Sequence, residues 1–87
     1  MKEDFKFYLE IWKERLHICY ETDQPLGDEI NLLFFHHILN KQHYPQFRHS
    51  KWNIVLLSKD IHQQVESNID KCPKVKDLTK QTKEKHG

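Results

Sequence analysis

Histidine is the residue type in this chain most able to do chemistry. Seven of the 87 residues are histidines, and five of the seven lie between positions 36 and 62. His36 and His37 are adjacent near the end of an apolar run, and His62 lies further along the chain. Imidazole is the commonest metal ligand in proteins and a frequent general base near neutral pH. The cluster therefore marks the region in which a site is expected.

Two other polar residues stand at informative spacings from these histidines. Asn53 opens a second apolar run, and Glu66 follows His62 by four positions. Residues four apart share one face of a helix, so His62 and Glu66 should point the same way. If His36 meets them, two imidazoles and a carboxylate can hold one divalent ion and leave room for water and a phosphate oxygen. Any single histidine is more often an ordinary surface or core residue, so the argument depends on the combination.

The apolar spacing predicts a helix, two strands and a second helix to position these residues. Asp23, Pro25 and Gly27 predict a turn after the first helix. Neighbouring residues of a strand face opposite sides, so the first strand must end or bulge at His36 and His37 if both serve one site. The predicted bounds are helix 3–16, strand 30–39, loop 40–52, strand 53–57 and a helix from its cap Ser58 to about Ile69, ended by Pro73.

The charge distribution separates the chain into two regions. Residues 1–70 carry 8 Lys and Arg against 11 Asp and Glu, a net charge of −3, whereas residues 71–87 carry 6 against 2, a net of +4. A lysine-rich tail can attract nucleic-acid phosphates, or it can be a solvated, frayed terminus. We predict one α+β domain over residues 1–72, with its core at 30–70, and a basic C-terminal tail at 73–87.

Composition argues against several protein classes. No apolar run approaches the roughly 20 residues of a membrane span. The charged N-terminus does not resemble a signal peptide. Cys19 and Cys72 stand far apart, which argues against a disulfide scaffold or a cysteine-rich zinc module. A cytoplasmic location is the expectation.

The stretch HHILNKQHYPQFRHSKWNIVLLSKDIH resembles the core of the HNH endonucleases, which have the ββα-metal fold. The likeness covers residues 31–66 and rests on the histidine pair, the asparagine that opens the second strand and the histidine in the helix. It implies a two-stranded antiparallel hairpin followed by a helix, with the N-terminal helix added. It also implies a bacterial or phage source, the host cytoplasm in the latter case.

The resemblance implies a role for each candidate residue. His36 and His62 would be metal ligands, and Glu66 occupies a position where some members have a further ligand. His37 would be the general base that activates water, and Asn53 would orient it through hydrogen bonds to nearby backbone. The implied metal is a single Mg²⁺ or Mn²⁺, although two imidazoles also suit Zn²⁺ or Ni²⁺. The zinc-knuckle cysteines of many members are missing, so a structural zinc is not expected.

DNA is the expected partner, contacted mostly through its backbone phosphates. Arg48 is the strongest candidate for a phosphate contact because its planar fork can bind two oxygens. His43 and His49 are expected to be idle, and Tyr44 and Phe47 to pin the loop to the core. The remaining basic residues near the predicted site are Lys41, Lys51 and Lys59.

Two other classes of function remain open on the sequence. One is a nucleic-acid- or metal-binding module without catalysis, and the other is a small interaction or inhibitor protein in which the histidine pair is incidental. A homodimer or a larger phage or host complex is compatible with each class.

Overall fold

The computed structural model describes residues 2–87, which form three helices and a two-stranded antiparallel sheet. In the sheet, His36 stands opposite Val55 and His37 opposite Ile54. The predicted α+β class, with an antiparallel hairpin and an N-terminal helix, is confirmed. In chain order the elements are α1 Lys2–Glu14, β1 Phe35–His37, β2 Ile54–Leu56, α2 Lys59–Ser67 and α3 Pro73–His86.

The small sheet is covered on both faces by apolar side chains. Alternate residues of a strand point to opposite faces, so Ile54 and Leu56 enter one cluster while Val55 enters another. Helix α1 covers the first face, and α2 and α3 cover the second. The first core cluster comprises Phe7, Ile11, Trp12, Phe34, Phe35, Ile54 and Leu56. The second core cluster comprises Cys19, Ile38, Val55, Leu57, Val65, Cys72 and Val75.

The first strand is much shorter than the predicted strand 30–39. Residues Leu32–Phe34 form a 3₁₀ turn instead, because the Asn31 side chain accepts a hydrogen bond from the backbone N–H of Leu33 at 2.9 Å. Leu32 and Leu33 are each 53% exposed, so this part of the apolar run is not buried in the sheet. Helix α1 similarly ends at Glu14, before the predicted residue 16.

Helix α2 begins where it was predicted and ends earlier. The Ser58 hydroxyl accepts a hydrogen bond from the Ile61 N–H at 3.3 Å, which confirms Ser58 as the N-cap. The helix ends at Ser67, however, and Pro73 does not terminate it. Pro73 occupies the first turn of α3, where its fixed φ and missing N–H are well tolerated.

The C-terminal segment 73–87, predicted to be a basic tail, is the ordered helix α3. Its Val75 is fully buried in the second core cluster. The Glu21 carboxylate accepts hydrogen bonds from the free N–H groups of the first turn, including that of Val75 at 3.1 Å. At the other end, the His86 ring stacks on Trp52 with centroids 3.7 Å apart. The segment therefore packs on the domain along its length.

The long connection between the strands is held by aromatic contacts. The Phe47 ring lies 4.9 Å from that of Trp52 and 6.1 Å from that of Tyr44, between ring centroids. Trp52 is 39% exposed, and its ring packs against His86 at the end of α3. Cys19 and Cys72 are buried free thiols. Across residues 2–87, no helix has both the length and the apolar character needed to cross a membrane.

Candidate functional site

The end of β1 places the paired histidines on opposite sides of the sheet. His36 points toward α2, where its ring centroid is 5.3 Å from that of His62, whereas His37 lies 6.2 Å from Tyr8 of α1. Because neighbouring strand residues face opposite sides, the strand had to end or bulge for both histidines to serve one site. It ends at His37. Both rings still line a single groove because the sheet stops at this point.

That groove has a volume of about 820 Å³ and opens between α1 and α2. It brings together four of the five predicted catalytic and metal-binding residues, together with one of the predicted DNA contacts. The side chains of Asp4 and Thr79 extend its wall from α1 and α3. The predicted residues that line it are His36, His37, Lys41, His62 and Glu66.

Asn53 is fully buried and does not line the groove. Its Oδ1 accepts a hydrogen bond from the Leu39 N–H at 2.7 Å, and its Nδ2 donates to the carbonyls of Leu39 at 3.1 Å and Phe47 at 3.2 Å. These bonds fasten the start and the middle of the long loop to the residue that precedes β2. They reach the backbone two residues after His37, the kind of contact that the predicted orienting role requires.

The ring of His37 is held by the same loop. Its Nε2 lies 3.1 Å from the carbonyl oxygen of Arg48. A carbonyl only accepts hydrogen bonds, so Nε2 carries the proton and Nδ1 keeps the lone pair of the neutral ring. Partial burial lowers the pKa of His37, and the hydrogen bond to Arg48 opposes that effect. The neutral, basic form is therefore favoured at pH 7.

His62 is oriented by a backbone contact on the opposite side of the groove. Its Nδ1–H donates to the Leu33 carbonyl at 2.6 Å, which directs Nε2 toward the Glu66 carboxylate, 3.2 Å away. A neutral Nε2 and a carboxylate oxygen both present lone pairs. Their contact is favourable only when a proton or a metal ion lies between them.

His36 supplies a second imidazole beside His62. Burial, and then the proximity of His62 and of His37, together lower the pKa of His36 to about 4, because burial and neighbouring positive rings both disfavour the charged form. His36 is thus neutral at pH 7 and can donate a lone pair to a metal. Two imidazoles that share an ion at about 2.1 Å have ring centroids roughly 5 Å apart. The observed 5.3 Å is close to that spacing, and the rings meet edge to face, an arrangement that ordinary aromatic packing also adopts.

The three predicted ligands are close in pairs only. His62 approaches both His36 and Glu66. Within residues 2–87, however, no group of three His, Cys, Asp or Glu side chains is arranged to hold an ion. A site that uses all three would require side-chain adjustment, most simply by Glu66, whose side chain is 69% exposed.

Two of the four side chains predicted to contact DNA form ion pairs with acidic residues of α1. The Arg48 guanidinium binds the Asp4 carboxylate, and the Lys51 ammonium lies 2.7 Å from the Glu14 carboxylate. Lys41 lines the groove, and Lys59 is exposed at the start of α2. Of the four basic residues, one therefore lines the groove, one is exposed on α2 and two are paired with acidic residues of α1.

Sequence reasoning missed the contact between Asp4 and the loop. His49, expected to be idle, has its Nε2 2.6 Å from Asp4 Oδ1, while Arg48 binds Oδ2. Asp4 and His49 are 45 positions apart. No periodicity links residues so distant, and Asp4 resembles any other acidic residue in the first turn of a helix.

No family, no curated protein and no solved structure matches the chain.

Proposed function

We propose that this protein is a metal-dependent DNA endonuclease of the HNH type, which hydrolyses phosphodiester bonds. The observation that carries the proposal is the contact between His36 of β1 and His62 of α2, with ring centroids 5.3 Å apart beside His37 in one open groove. Two imidazoles close enough to share a cation and a third with a fixed proton position are the groups that such a reaction needs.

In this proposal His37 is the general base. Its Nε2–H is bound to the Arg48 carbonyl, so Nδ1 takes a proton from the attacking water. Asn53 holds the loop that carries Arg48, and with it the orientation of the ring. The water then attacks phosphorus in line with the leaving oxygen, which takes up a proton as the P–O bond breaks.

A divalent cation fits the donors on the other side of the groove. His36 and His62 would hold it through nitrogen, and the Glu66 carboxylate, 3.2 Å from His62 Nε2, is near enough to join them. The ion is Mg²⁺ or Mn²⁺ by the family resemblance. When bound, it supplies positive charge that stabilises the leaving oxygen. Lys41, in the same groove, adds a cation beside the phosphate.

A plasmid-cleavage assay tests the proposal. Supercoiled DNA is incubated with Mg²⁺, with Mn²⁺ or with EDTA, and the wild-type protein is compared with His37→Ala. Cleavage should require metal and fall at least about a hundredfold in His37→Ala, because a positioned general base contributes that much. The matched control is His43→Ala, which removes an exposed histidine from the same loop. Equal cleavage by wild type and His37→Ala would end the assignment of the base.

Metal binding separates the nuclease from the interaction protein. Calorimetry with Mn²⁺ should show one site in the wild type, and His36→Ala combined with His62→Ala should abolish it. A module that binds metal without cleaving DNA would show this Mn²⁺ site and no cleavage. An interaction protein with an incidental histidine pair would show no Mn²⁺ site.

A further inference from the structure

The Asp4 carboxylate is bound by two side chains of the long loop at the edge of the groove. Arg48 donates to Oδ2, and His49 Nε2 lies 2.6 Å from Oδ1. Each carboxylate oxygen thus has its own nitrogen partner. These contacts lower the pKa of Asp4 to about 2, chiefly through His49 and then Arg48, so the group is an anion at neutral pH.

The same two side chains have the chemistry to bind a phosphate. A guanidinium and an imidazole that hold two oxygens of a carboxylate can hold two oxygens of a phosphodiester, since both ligands are anions with paired acceptor oxygens. Arg48 is 48% exposed and His49 is 44% exposed, as measured on their side chains. An incoming polyanion can therefore reach both.

The position of this pair relates it to the proposed reaction. The backbone carbonyl of Arg48 holds the His37 ring, while its side chain holds Asp4. Asp4 also lines the groove beside His37 and Lys41. A fixed negative charge at this edge repels DNA phosphates, so it must be displaced or remain neutralised when DNA enters.

We propose that Arg48 and His49 form a seat for a phosphate of the DNA substrate, and that Asp4 occupies this seat in the free protein as an internal competitor. The inference rests on the proposed function for the identity of the ligand as DNA. Binding of DNA exchanges one anion for another at Arg48 and His49. The Asp4 side chain then turns to solvent.

Helix α1 can release Asp4 and remain in place. Phe7, Ile11 and Trp12 anchor the helix in the first core cluster. Just beyond its end, the Arg15 guanidinium donates to the carbonyls of Ile54 and Lys51 at 2.5 and 2.6 Å. Asp4 lies a turn before the first of the buried anchors, so its release requires only rotation of the side chain.

Binding of a short fluorescent duplex DNA, measured by anisotropy in EDTA at fixed salt, tests the exchange. Asp4→Asn keeps the shape of the side chain and removes its charge. It should tighten binding by about two- to fivefold, the range that corresponds to the usual strength of one exposed ion pair. The matched control Asp28→Asn removes the same charge from an exposed position outside the groove, and its effect should be smaller.

The Arg48→Gln background makes the test specific. Without Arg48 the seat is incomplete, so adding Asp4→Asn should tighten binding no more than Asp28→Asn does. Adding His49→Gln to the Asp4→Asn protein should weaken its binding to DNA. Thermal denaturation checks that each variant is folded. Equal tightening by Asp4→Asn and Asp28→Asn, or full tightening without Arg48, would overturn the proposal.

The outcome can be separated from that of the nuclease proposal because the binding assay contains no metal and needs no cleavage. Tighter DNA binding by Asp4→Asn, with no cleavage by either protein, would support the phosphate seat and contradict the nuclease. Metal-dependent cleavage, with no change in binding between Asp4→Asn and Asp28→Asn, would support the nuclease and contradict the seat.

Discussion

Asn53 is the residue on which the geometry of the site depends most directly. It is a polar side chain with no exposed surface, and it makes three hydrogen bonds to the backbone of a loop that has little regular structure. A buried amide is tolerated only when its donors and acceptors are paired. The sequence predicted it as the first residue of the second strand, whereas it ends the 3₁₀ turn Lys51–Asn53 directly before β2. Its burial explains why a side chain that both donates and accepts is needed there.

Replacing Asn53 with Ala should destabilise the protein by about 3 kcal/mol. The change leaves the Leu39 N–H and two carbonyls without partners in the interior, and each such loss costs about 1–3 kcal/mol before water enters. Urea denaturation followed by circular dichroism measures the effect. Asn40→Ala is the control, because Asn40 is exposed and its side chain accepts one hydrogen bond, from the Gln42 N–H. A loss below about 1 kcal/mol for Asn53→Ala would mean that the loop is held by other contacts.

At the scale of elements, the basic C-terminal segment is a helix, α3, that packs on the domain. Its lysines point outward while Val75 and Cys72 complete the second core cluster. Glu21, from the turn after α1, binds the N–H groups of the first helical turn. The helix is thus fastened to the domain by burial at one end and by aromatic stacking of His86 on Trp52 at the other.

Val75→Ala should destabilise the domain by about 2 kcal/mol if α3 is part of the core. Two buried methyl groups are lost, each worth about 0.8 kcal/mol in transfer, and the cavity adds to the cost. Lys80→Ala, at an exposed position of the same helix, should change stability by less than about 0.5 kcal/mol. Chemical denaturation of both variants provides the comparison. Equal, small effects would indicate that the segment behaves as a tail in solution.

The elements that sequence predicted well are those with clear periodicity or a local signal. Helix α1 followed from its apolar stripe, and the start of α2 followed from Ser58. The run 30–39 misled because continuous apolar residues do not reveal where a strand begins, and the Asn31 side chain turns the chain locally. The segment after residue 72 misled because lysines dominate its composition, while only a few residues, Val75 and Thr82 among them, are buried.

The sequence could predict which residues line the candidate groove better than it could predict the hydrogen bonds that those residues make. Spacing and type identified His36, His37, His62 and Glu66, which line one groove. Which ring nitrogen carries the proton depends on the carbonyls of Leu33 and Arg48, and those positions are set by the fold. The attachment of the basic loop to α1 likewise depends on tertiary structure.

For the whole molecule, the sheet is too small to form a core alone, and each face depends on a helix. Helix α1 covers one face through the first core cluster, and the ion pairs of Asp4 with Arg48 and of Glu14 with Lys51 extend that contact to the loop. Exposed ion pairs contribute little individually. The apolar contacts therefore hold α1 in place, and the charges fix the position of the loop against it.

The contribution of Asp4 to whole-molecule stability should depend on pH in a defined direction. Its pKa is lowered from 3.8 to about 2, chiefly by the hydrogen bond from His49 and then by that from Arg48. A group with a lowered pKa in the folded state stabilises the protein above its unfolded pKa, and this contribution is lost as the pH falls through the folded value. Wild type should therefore lose stability relative to Asp4→Asn as the pH falls from about 5 to about 2.

Thermal denaturation of the wild type and Asp4→Asn across that range, at constant ionic strength, measures the difference in Tm. The same series in about 1 M salt is the control, because a Debye length of about 3 Å screens exposed pairs and should reduce the dependence. A difference in Tm that stays constant with pH in low salt would mean that Asp4 is not held by the loop in solution. Asp4 would then make no ionic contact with Arg48 and His49, so the internal competitor at these two side chains would be lost as well.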